Sequence, residues 1–87
     1  MESKAQKAAL AYVKEKIIKS ISEKNEYGYH IRDLEFIKEQ LDHISGWIKE
    51  YSLENKIFTD VIEKAYDVFM EERRYSDSAS FAKKYGL

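Results

Sequence analysis

Phe36, His43 and Trp47, with Gln40 between them, are the side chains in this sequence whose types and spacing most invite a function. On a helix they fall along one strip. Trp and Phe are large, rigid and apolar, and such residues anchor most protein interfaces, so an exposed strip of this kind is a protein-binding surface. The bland alternative is a second buried face, because the central helix of a bundle must meet two neighbours. Accessibility of Trp47, the single Trp of the chain, separates the two. Tyr27 and Tyr29, a few residues upstream in a loop, extend the same expectation of a protein partner.

The chemistry of metals and catalysis is poorly represented. Glu39 and His43 stand four apart on one helical face, a spacing that can share an ion, but a bundle-type site needs further inward Glu and Glu-x-x-His ligands. None is evident, and no metal or cofactor is expected. There is no Cys, which removes thiol nucleophiles, thiolate metal sites and disulfides together. The chain also lacks a glycine-rich phosphate loop and any strand to carry a nucleophile elbow. Glu63, Asp67, Glu71 and Glu72 are expected to form a solvated face, with no pair distinguished as acid and base. No catalytic residue is assigned, and the expectation is a protein that is not an enzyme.

Charge offers a second kind of partner. The net charge of -1 conceals basic ends and an acidic middle: residues 1–24 carry +3, residues 25–72 carry -7 and residues 73–87 carry +3. Phosphate attraction follows local charge, so Arg73, Arg74, Lys83 and Lys84, joined by Lys19 and Lys24 at the end of the first helix, are the candidate nucleic-acid contacts. Cations near helix C-termini are also favoured by the helix macrodipole alone. The closing stretch Ser80 to Leu87, SFAKKYGL, resembles the first helix and turn of helix-turn-helix repressors over about eight residues. That resemblance implies DNA readout by a helix following the turn. In a chain ending at Leu87 that helix is missing, and the expectation is instead that Phe81 and Tyr85, four apart, dock a terminal helix that Gly86 closes. Arg73-Arg74-Tyr75-Ser76 resembles a basophilic kinase site, with Ser76 near a helix start where added negative charge is favourable.

These residues need helices to hold them. Pro is absent and Gly occurs only at 28, 46 and 86, an all-α composition. Leu10, Val13, Ile17 and Ile21 mark a first amphipathic helix over Ser3 to Ser22, which lapses in a loop carrying Asn25 and Gly28. Leu34, Ile37, Leu41, Ile44, Ile48 and Tyr51 give a second, over Ile31 to Tyr51, with alternating three- and four-residue spacing. Ser52 is the expected N-cap of a third from Leu53 to about Arg74, whose apolar arc covers half its circumference. Ser76 or Asp77 is expected to cap a short fourth. The expected fold is an antiparallel three-helix bundle with a short C-terminal fourth helix, one domain over 1–87. The same apolar faces suit a homodimer.

No apolar run reaches the 18 or so residues of a membrane span. No membrane partner is expected, and a cytoplasmic location is. The functional expectation is a small non-enzymatic regulatory or adaptor protein that binds another protein through a helical face. The alternative is a nucleic-acid-associated protein using the basic ends.

Overall fold

The computed structural model describes residues 4–50, 52 and 55–87, and the side chains of those residues apart from 5, 6, 9, 10, 12 and 13. The described chain is all helical, with four helices packed as a bundle: α1 (Lys4–Ser22), α2 (Leu34–Glu50), α3 (Asn55–Glu71) and α4 (Tyr75–Tyr85). The regular spacing on α2 buries Ile37, Leu41, Ile44 and Ile48. Its last expected member, Tyr51, lies outside the described residues, as do Ser3, Leu53 and the side chains of Leu10 and Val13. On α3 the wide arc buries Ile57, Val61, Ile62, Ala65, Val68 and Phe69, and α3 accordingly contacts all three other helices. Ile17 and Ile21 of α1 and Phe81 of α4 complete one continuous core.

Phe81 docks α4. Its ring lies 5.3 Å from that of Phe69 and 4.8 Å from that of Tyr85, and Tyr85 meets Phe58 edge-on at 6.2 Å. Phe69 and Phe81 are both fully buried, each worth roughly 1.5–3 kcal/mol in transfer terms. The spacing of Phe81 and Tyr85 on one face thus holds the last helix onto α3.

Several helix ends differ from the sequence expectation, for reasons of local hydrogen bonding. α2 starts at Leu34, not Ile31, because the Asp33 carboxylate accepts the Phe36 amide at 2.9 Å, while the Ile31 amide is drawn back to the Glu23 carbonyl at 3.1 Å. Ser52 does not have the backbone of an N-cap. Its φ is +52° and its amide reaches the Lys49 carbonyl at 3.3 Å, so it closes α2 as a left-handed residue.

α3 stops at Glu71, three residues before the expected limit. Arg73 takes φ +58°, its amide bonds the Met70 carbonyl at 3.1 Å, and the Arg74 amide bonds the Phe69 carbonyl at 2.9 Å. This is a Schellman closure with Arg where Gly is usual. Gly86 performs the same turn conventionally after α4, at φ +70°, with the Leu87 amide on the Ala82 carbonyl at 3.0 Å. α4 begins at Tyr75 instead of following a Ser76 or Asp77 cap, and the N-cap position falls on Arg74, which makes no side-chain cap.

Between α1 and α2 the chain folds into a compact loop. Lys24 and His30 form an antiparallel bridge, the Asn25 side chain accepts the amides of Tyr27 at 2.9 Å and Tyr29 at 3.0 Å, and Gly28 supplies φ +83° at the tip. Glu72 fastens this loop to the end of α3, 3.1 Å from His30 Nε2 and 3.2 Å from Lys24 Nζ. Arg74 Nη1 donates to the Ile21 carbonyl at 3.0 Å, so the C-terminal ends of α1 and α3 sit side by side. No helix among the described residues is long and apolar enough to cross a membrane.

Candidate functional site: the groove between α1 and α2

α2 carries two faces. Its seam is buried, and the strip of Phe36, Gln40, His43 and Trp47 is only partly covered. Trp47 is 42% exposed, His43 is exposed, and Phe36 and Gln40 are half-buried. Together with Glu39 and Ile44 they line one side of an open groove of about 350 Å³, whose other wall is Lys16 and Ile17 of α1. The groove is held in shape by a polar contact between its walls: buried Ser20 Oγ lies 2.9 Å from the Lys16 carbonyl and 3.1 Å from the Gln40 side-chain oxygen. At the α2 N-terminus the Arg32 guanidinium stacks 4.5 Å from the centre of the Phe36 ring, which fixes that ring at the groove's end. An apolar floor, two aromatic ends and a polar middle can receive a protein side chain or helix.

Tyr27 and Tyr29 are 76% and 72% exposed, at the tip of the Asn25-organised loop. They lie on a rigid support, outside the set of residues that line the groove. Glu72, which anchors that support, is held below the usual carboxylate range, first by the hydrogen bond from His30 and then by Lys24, against the opposing effect of burial.

The four candidate nucleic-acid cations are not gathered in one place. Arg73 and Arg74 precede α4 and Lys83 and Lys84 end it, about 15 Å away along the helix axis. Arg74 is also engaged internally. Its side chain is 7% exposed, with Nε and Nη2 at 2.8 Å and 2.7 Å from Asp77 and the guanidinium 5.0 Å from the Phe69 ring centre. Lys24 is turned to Glu72. Lys83 and Lys84 occupy the last turn of α4, where the helix dipole favours them, and Lys84 Nζ lies 5.5 Å over the Tyr85 ring. Arg73 and Ser76 are exposed, in the open depression between this corner and the loop at His30 to Asp33. Among the described residues no three His, Cys, Asp or Glu side chains are grouped to hold a metal ion.

Sequence reasoning missed Lys16 and Ile17 as the facing wall of the groove, and Arg32 as the cation over Phe36 at its end. Periodicity along α2 identifies its faces but not which helix stands beside each. Arg32 alone left a trace, its four-residue spacing ahead of Phe36. Compared with models of protein families, with curated proteins and with solved structures, the chain matches none.

Proposed function

We propose that this chain is a small non-enzymatic regulatory or adaptor protein that binds another protein through the groove between α1 and α2. The observation that carries the proposal is the state of Trp47: a large aromatic side chain, 42% exposed, lining an open groove with Phe36, His43 and Ile17. Exposed Trp in a shaped, partly apolar site is the residue type that contributes most to association. An up-down-up order of α1, α2 and α3, with α4 laid against α3, is the topology we infer. It agrees with the contact between Ile21 and Arg74. Tyr27 and Tyr29 supply a second, smaller contact. A cytoplasmic place of action fits the cysteine-free composition. The phosphate-binding alternative has less support, because its cations lie at two ends of α4 and Arg74 is committed to Asp77 and Ile21.

Trp47→Ala is the test. It is expected to leave the thermal midpoint within a few degrees while weakening association about 30-fold, the equivalent of a 2 kcal/mol anchor. A variant that melts far earlier, or that binds as well as the wild type, would contradict the proposal.

A further inference from the structure

The open strip of α2 is symmetric about its own middle. Counted from the point between Leu41 and Asp42, Gln40 and His43 stand equally far on either side, and so do Phe36 and Trp47. The order is aromatic, polar, polar, aromatic. Such a strip is complementary to itself when turned end for end, the requirement for an isologous two-fold interface. Accepting the groove as an association face, as proposed above, we infer that its occupant is a second copy of this chain, with the two α2 helices antiparallel across the axis. Phe36 of each copy then meets Trp47 of the other, and the Gln40 and His43 pairs meet at the centre.

Two observations favour this occupant and this direction. The first is charge. Arg32 lies beyond Phe36 at one end of the strip and Glu50 beyond Trp47 at the other, both solvent-accessible, and Arg32 also faces Glu23 of its own chain at 3.9 Å. Antiparallel packing sets Arg32 of each copy near Glu50 of the other, twice. Parallel packing would set Arg32 against Arg32 and Glu50 against Glu50, and like charges repel. The Asp33 carboxylate at the same end is already turned onto the Phe36 amide. The second is Gly46, exposed in the interior of α2 with nothing within 4 Å of a Cβ built on it. A glycine there weakens the helix by about 1 kcal/mol, and the open space at its Cα lets a partner helix approach beside Trp47.

The absence of cysteine permits a decisive crosslinking test on the full chain. Under mild oxidation His43→Cys is expected to form a disulfide-linked dimer, because position 43 lies beside the axis. Glu50→Cys is expected to stay monomeric, its two copies being about 25 Å apart along the helices. Sedimentation supplies the independent readout: Arg32→Glu or Glu50→Arg alone is expected to raise the dimer dissociation constant about tenfold, and the two together to bring it back within about threefold of wild type. Crosslinking at both positions would mean a parallel pair and would overturn the inference. A wild-type chain that remains monomeric at every concentration up to the millimolar range overturns self-association alone, and the groove is then judged by whether Trp47→Ala abolishes binding of a different protein. A dimer indifferent to Trp47→Ala and uncrosslinked at 43 places the interface elsewhere and overturns both.

Discussion

Replacing Arg74 by Met should cost this small protein a large share of its stability. The side chain is 7% exposed and spans three elements: it holds Asp77 in the first turn of α4 through Nε and Nη2, donates to the Ile21 carbonyl of α1 at 3.0 Å, and lies over Phe69 of α3. Met keeps much of the aliphatic volume and removes every hydrogen bond. A bond to a charged group is worth about 1.5–3 kcal/mol net, and breaking a buried pair about 3–5 kcal/mol. Asp77 is 33% exposed, so water recovers part of its carboxylate, and the expected loss falls to about 2–4 kcal/mol. Against a total of roughly 4–13 kcal/mol for a chain of this length, that is about a third at the middle of both ranges. Arg74→Lys, which keeps the charge but not the planar fork, should lose about half as much. Urea unfolding followed by circular dichroism measures it, as a lower midpoint at constant slope. An Arg74→Met midpoint equal to wild type would refute the structural role and return Arg74 to the pool of cations available for phosphate.

Arg73→Gly should stabilise by about 0.5–1 kcal/mol in the same assay, because Arg73 holds a left-handed backbone, φ +58°, that glycine takes without steric cost. The Tyr85 hydroxyl is buried without a hydrogen-bond partner among the described residues, so Tyr85→Phe should be stabilising by about 1 kcal/mol. Burial, and secondarily Asp42, raises the Tyr85 pKa above its ordinary 10.0. The stability linked to it is therefore full below that value and lost as pH rises through the folded-state value, and Tyr85→Phe should lessen the alkaline decline. Glu72 has the opposite sign. Its lowered pKa gives stability that is present above the ordinary 4.5 and lost as pH falls through the folded-state value. Glu72→Gln should flatten the acid limb of a pH titration of stability by less than about 1 kcal/mol, the scale of a partly exposed pair.

The long helices were legible because burial repeats with the helical period: the α2 seam and the α3 arc need nothing beyond sequence to be seen. Their ends were less so. Ser52 has the composition of an N-cap but the backbone of a helix stop, and Arg73 fills a turn for which glycine is the usual signal, so neither could be read from residue type. Contacts distant in sequence were also hidden. His30 meets Glu72 across 42 residues, and Arg74 meets Ile21 across 53, pairs that only the packing of α1 beside α3 creates. Lys83 and Lys84 sat where the dipole rule puts cations, and Phe81 docked where its four-residue partner Tyr85 implied. The aromatic strip of α2 was visible as a strip, but whether it met a neighbour depended on the line taken by α1.

Because Trp47 is the single tryptophan, its fluorescence reports on the groove without labelling. The most direct test is quenching by acrylamide, first in dilute monomer and then at concentrations where the chain associates. An open groove that functions by being covered predicts a red-shifted, readily quenched Trp47 in the monomer, becoming blue-shifted and shielded on association with no change in helical content. A Trp47 already blue-shifted and shielded in the dilute monomer, or equally quenched in both states, would contradict the groove as the association face.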